Sequence, residues 1–215
     1  MLRTASLAIV LMISPAQAQP REQSLIAAAA KGDVAAVERL VREGVSLDAR
    51  DNRGRNALLA ATHGNRVEVA RVLIAAGADV NAKDDIEDSA FLYAGAEGRN
   101  EILKLTLPTA DLKSTNRYGG TALIPAAHHG HAETVRILLG TAIDKDHINK
   151  LGWTALLEAV ILGDGGRTHT EIVRLLVEAG ASVKIADREG ITPLQHAKQR
   201  GFDGMARLLE ARGGG

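Results

Sequence analysis

Residues 56–84, NALLAATHGNRVEVARVLIAAGADVNAKD, repeat their pattern at 121–149, TALIPAAHHGHAETVRILLGTAIDKDHIN. Each copy opens on a short polar residue, runs through a small apolar block, breaks at a glycine and resumes with a second apolar series. A third copy is split between TALLEAVILG at 154–163 and TEIVRLLVEAGASVKIAD at 170–187. The leading positions Asn56, Ser89, Thr121, Thr154 and Thr192 lie 33, 32, 33 and 38 residues apart. A fixed period of this size marks a repeat architecture, in which each unit is one supersecondary element stacked on the next.

The chemistry of one unit follows from its residues. Asp51-Asn52-Arg53-Gly54 reads as a turn, because Asp accepts local backbone bonds and Gly permits positive φ. Asn56, Ser89, Thr121, Thr154 and Thr192 read as helix N-caps. Leu58, Ala61 and Thr62 recur at helical spacing and predict a short helix with one apolar stripe. Gly64-Asn65 should end it in the left-handed region. Asn65, with Glu68 three residues later, reads as the cap of a second helix carrying Val69, Val72 and Leu73 and ending at Gly77. One such unit cannot bury its apolar face alone, so the expected product is a curved, all-α solenoid.

The period, the TALL-type openings and the ending Gly77-Ala78-Asp79-Val80-Asn81-Ala82 resemble the ankyrin repeat, whose core reads T-P-L-H-x-A. The wording is similar to that of bacterial members. At the family's histidine position stand Leu59, Leu92, Ile124, Leu157 and Gln195, which shifts the unit junctions towards apolar packing. The resemblance implies about six repeats within 19–212, at about 21–50, 51–83, 84–115, 116–148, 149–186 and 187–212, with 213–215 as a flexible tail. Polar Arg21, Glu22, Gln23 and Lys31 at one end, and Lys198, Gln199 and Arg200 at the other, suit solvent-facing terminal units.

Three copies deviate. In the fourth, HHGH (128–131) places three histidines within four residues. A tetrahedral zinc site needs three or four convergent donors. In the repeat frame the four residues are a helix end, a turn and the next helix start, matching His63-Gly64-Asn65-Arg66. A histidine-dependent metal-binding protein of the periplasm is the alternative function for the chain. The third copy carries Glu87 at the turn glycine, Phe91 and Tyr93 in its first helix, and Pro108, which should close its second helix early. The fifth has five extra residues in ILGDGGRTHTEIV. There Thr168 and Glu171 read as a capping box, and an anion beside Arg167 at this helix start is the competing reading of the 163–168 loop.

The first eighteen residues, MLRTASLAIVLMISPAQA, carry one charge (Arg3), an apolar run and the small-residue ending Ala16-Gln17-Ala18. This is the layout of a secretory signal peptide cleaved after Ala18, giving a periplasmic or secreted product. The run is too short to span a bilayer, which needs about 20 apolar residues, so no membrane insertion is expected after cleavage. The chain has 26 Lys+Arg and 26 Asp+Glu, and losing Arg3 leaves the mature form one negative charge in excess. Nucleic-acid binding would ask for a basic excess. Cysteine is absent, so an exported chain must be stabilised by packing without disulfides.

No Gly-x-Ser-x-Gly, HExxH or cysteine nucleophile occurs, so no catalytic residues, resident metal or cofactor are expected. The resemblance implies a non-catalytic scaffold, expected as a monomer, that binds an unidentified protein partner through hairpin tips and first helices. Carried onto this sequence, that surface comprises Arg53, Arg55, Asp85, Ile86, Asp88, Arg117, Tyr118, Lys150, Leu151, Trp153, Arg188 and Ile191 on the tips. His63, Glu97, His128, His129, Ile161 and Leu162 belong to it on the first helices. Tyr118, His128, His129, Leu151 and Trp153 form its most informative group, because aromatic residues are favoured interface anchors. Trp153 could instead pack across its repeat boundary.

Overall fold

Asp51, Asp84, Asn116, Asn149 and Asp187 hold the same place in five successive units, and one side chain sets each tip. In every copy an oxygen of this residue accepts the backbone N–H groups two and four positions on, at 2.8–3.1 Å. Its own N–H donates to the carbonyl four residues later, closing the tip. The closure needs a left-handed residue at the fourth position. Glu87 supplies it in the third unit at φ 64°, where the other four copies use glycine.

The computed structural model describes residues 15–213. Among them lie twelve helices and no strand: α1 (Pro15–Lys31), α2 (Val34–Arg42), α3 (Ala57–His63), α4 (Val67–Ala75), α5 (Ala90–Ala96), α6 (Asn100–Thr106), α7 (Leu123–His128), α8 (Ala132–Leu139), α9 (Ala155–Ile161), α10 (Arg167–Glu178), α11 (Pro193–Gln199) and α12 (Asp203–Glu210). Consecutive pairs form six helical hairpins. Odd-numbered helices pack on odd and even on even, in chain order, which is a solenoid of two helical layers. A single apolar core runs through it from Leu25 to Leu209.

The first helix of the second unit, α3, is buried almost all round, contrary to the expected single stripe, whereas the terminal α1 and α11 keep an exposed face. Every residue of α3 from Ala57 to Thr62 is buried, because α1, α4 and α5 enclose it. Small residues let the layers approach, and burying a leucine contributes roughly 1.5–3 kcal/mol. No helix of the described residues is long and apolar enough to cross a membrane. Residues 1–14 of the expected leader lie outside the described residues, and its cleavage point, Ala18, falls within α1. At the other end Gly213 closes a turn onto Glu210 (3.0 Å), and 214–215 lie outside the described residues.

Asn56, Ser89, Thr154 and Thr192 cap their helices as expected, each accepting the N–H three residues on at 2.8–3.3 Å. Thr121 does not. In those four units the residue four positions after the cap donates its N–H to the cap carbonyl. In the fourth unit that residue is Pro125, which has no N–H. Ile124 donates to the Thr121 carbonyl instead (3.2 Å), α7 starts at Leu123, and the buried Thr121 hydroxyl has no partner among the described residues.

Two further caps need correction. Asn65 adopts φ 51° and fills the left-handed turn between α3 and α4, while Gly64 stays right-handed; Arg66 holds the N-cap position. Thr168 lies inside α10, whose N-cap is Gly166, so there is no capping box. Glu171 pairs with Arg174 at 2.6 Å and Arg136 at 3.4 Å. The extra residues of the fifth unit partly lengthen α10 to 12 residues, and Pro108 accompanies a short α6 of 7.

Candidate partner-binding groove

The histidines of HHGH occupy a helix end and the start of the next. His129 is the C-cap of α7, Gly130 makes the left-handed turn at φ 80°, and His131 is the N-cap of α8. A helix leaves its last carbonyls without intrahelical partners, and here the following repeat supplies them. Arg66 donates to the Ala30 carbonyl of α1 at 3.2 Å, and His129 Nδ1 lies 2.7 Å from the Ala96 carbonyl of α5. His169 Nε2 lies 2.9 Å from the His128 carbonyl of α7, and Arg200 donates to the Ile161 carbonyl of α9. His131 packs over Gly98 of the preceding turn. Among the described residues no three His, Asp or Glu side chains are grouped so as to hold a metal ion. The 163–168 loop likewise fills its own helix start: Asp164 accepts the Gly166 N–H at 2.9 Å and pairs with His169 Nδ1 at 3.0 Å.

Beside these histidines the tips and first helices of the third, fourth and fifth units enclose a groove of about 420 Å³. Eight of the sequence candidates line it: Asp88, Glu97, Arg117, Tyr118, His128, His129, Leu151 and Leu162. Tyr118, Leu151 and Leu162 stand 53%, 46% and 41% exposed, a concentration of large apolar groups in water around one opening. The Arg117 guanidinium lies 4.7 Å from the centre of the Tyr118 ring and 3.9 Å from Asp88.

The other candidates lie outside the groove, several in structural contacts. Arg55 is held by Asp51 through two bonds of 2.7 and 2.9 Å. Lys150 donates to the Arg117 carbonyl at 2.8 Å, and Arg188 donates to the Lys150 carbonyl, tying successive tips together. His63 stacks on Tyr93 at 3.8 Å. Trp153 is half-buried and does not line the groove. Arg53, Asp85 and Ile86 are exposed on the tips of the second and third units, and Ile161 and Ile191 are half-buried.

Sequence reasoning missed the residue at the groove's base. Glu158 on α9 is 6% exposed, and its Oε1 accepts a 2.8 Å hydrogen bond from Asn149 Nδ2. Oε2 lies 3.7 Å from His128 Nδ1. Burial pushes the Glu158 carboxyl up to about 7, with the Asn149 bond acting in the opposite sense. Burial, with His129 and His169 nearby, holds His128 below the ordinary imidazole range, so this contact is not a fixed ion pair at neutral pH. Asp88 is also raised, by burial and by Asp84. A signal existed: Glu158 is the one carboxylate in a column otherwise filled by Ala60, Tyr93, Pro125 and His196, inside the apolar run ALLEAVI.

Stacked helical hairpins that present tips and inner helices along one groove define a repeat protein with an extended binding face. A family model described as ankyrin repeats matches residues 4–84, 91–187 and 144–213, and the chain belongs to the ankyrin repeat family. It is 38% identical over 188 residues to the putative ankyrin repeat protein YahD of Escherichia coli (strain K12), covering 86% of this chain and 94% of that one. Among solved structures, an ankyrin repeat domain from Acinetobacter baumannii AYE shares 53% identity with a TM-score of 0.87, over 89% of this chain and 98% of that chain. The ankyrin repeat domain of Bcl-3 shares 30% identity with a TM-score of 0.81, over 89% and 86%.

Proposed function

We propose that the chain is a protein-binding scaffold, without catalytic activity of its own, exported to the bacterial envelope. The observation that carries this reading is the groove of about 420 Å³ whose mouth holds Tyr118, Leu151 and Leu162 in water. Exposed apolar groups gathered around a concavity are the usual mark of an interaction site. The leader-like first eighteen residues and the similarity to proteins of Escherichia coli and Acinetobacter baumannii support the location. A partner segment would lie across the third to fifth units, with Tyr118 as its central anchor.

The test is capture. Full-length protein carrying a C-terminal tag is expressed in a bacterial host, recovered from the periplasmic fraction with Gln19 as its first residue, and used to isolate bound envelope proteins. Tyr118→Ala combined with Leu151→Ala should lower the yield of a specific partner by about tenfold or more, with helical circular dichroism unchanged. An undiminished yield, or a protein retained in the cytoplasm with its leader intact, contradicts the corresponding half of the proposal.

A further inference from the structure

Three carboxylates, Asp88, Glu97 and Glu158, line the groove against one guanidinium, that of Arg117. Arg117 is already engaged with Asp88 and the Tyr118 ring. Glu158 is the deepest of the three. Only its Oε1 is hydrogen-bonded among the described residues; Oε2 has His128 at 3.7 Å, and Glu158 lines the open groove. A carboxylate kept in a dry site without a full set of partners is costly. An incoming cation removes that cost, an incoming anion adds to it, and a purely apolar group leaves it in place.

The surroundings define the shape of the cation. Tyr118, Leu151 and Leu162 line the same groove as Glu158 and are far more exposed than it, so the groove offers apolar surface near its opening. Such surface suits a methylene stem that carries its charge at the far end, as lysine and arginine side chains do. We propose that the groove seats a basic side chain of the bound protein segment, its stem along Tyr118, Leu151 and Leu162 and its charged end paired with Glu158 Oε2. This rests on the scaffold reading above and adds the chemistry of the partner. The pairing forms in a largely desolvated place, where a charge pair discriminates between partners far better than at an exposed rim.

A matched pair of peptides tests it, acetyl-Leu-Lys-Leu-amide and its norleucine counterpart, which keeps the stem and lacks the ammonium. Each is titrated into the full chain with labelled leucine methyl groups at pH 8, above the value of about 7 to which burial pushes Glu158. The lysine peptide should shift the Leu151 and Leu162 methyl signals and bind about tenfold or more tighter than the norleucine peptide. Glu158→Gln should erase that difference while leaving the remaining methyl spectrum in place. Equal affinities, no shift at Leu151 and Leu162, or a difference that survives Glu158→Gln each overturn the cation subsite. Partner capture then separates the two ideas. If the peptide contrast is absent but Tyr118→Ala with Leu151→Ala still abolishes capture, the subsite is wrong and the scaffold reading stands. If neither variant alters capture, both are wrong.

Discussion

At the scale of single residues, Glu158 makes the protein's stability depend on pH in an unusual sense. Its folded-state carboxyl sits at about 7, against an ordinary value of 4.5, so between these values the folded chain holds a proton that the unfolded chain has released. The stability tied to that proton is fully present below 4.5 and lost as pH rises through 7, on the order of 3 kcal/mol in all. His63, His128 and His131 are lowered by burial and act in the opposite direction, so that stability falls as they are forced to take up protons in acid. Glu158→Gln isolates the carboxyl, because glutamine still accepts the Asn149 bond and does not titrate. Urea unfolding across pH should show the variant gaining on the wild type progressively between 4.5 and 8, by up to about 3 kcal/mol. A constant offset at every pH contradicts the assignment. The same residue shows where sequence reading stopped. A carboxylate in an apolar helix is visible in ALLEAVI, but its contacts, with Asn149 at the tip of its own unit and His128 of the preceding unit, are not.

At the scale of elements, most of each hairpin was legible and its exceptions have local causes. The tip aspartates and asparagines and four of the five caps work as their side-chain chemistry dictates. Thr121 fails because Pro125 deletes the backbone bond that would make it a cap, a conflict between two positions that each look ordinary alone. Asn65 fails as a cap because the turn between α3 and α4 needs a left-handed residue, and asparagine is among the few that accept it. Glu87 meets the same demand with less tolerance: at φ 64° it sits where a glycine would be unstrained. Glu87→Gly should therefore stabilise the protein by roughly 0.5–1 kcal/mol, read as a raised thermal midpoint with partner capture unchanged. A lowered midpoint would mean that the glutamate side chain has a role in the third tip that outweighs the backbone strain.

At the scale of the whole molecule, the repeat period carried the fold, because stacking is encoded in every unit and one aberrant copy does not interrupt it. The groove was only partly legible, since no unit contains it. Asp88 and Glu97 come from the third, Tyr118 and His128 from the fourth, and Leu151, Glu158 and Leu162 from the fifth. Sequence columns mark which positions face the tips and inner helices, and eight groove residues were found in that way. They do not mark where neighbouring units leave a gap, nor which arginines and histidines are spent on the preceding unit's carbonyls. The central claim is that partners bind across this inner face and not on the outer layer of second helices. A photo-crosslinking residue placed at Tyr118, and separately at the exposed Glu101 of α6, tests it most directly in cells. The account predicts a discrete adduct from position 118 and none from position 101; an adduct from 101 with none from 118 would contradict it.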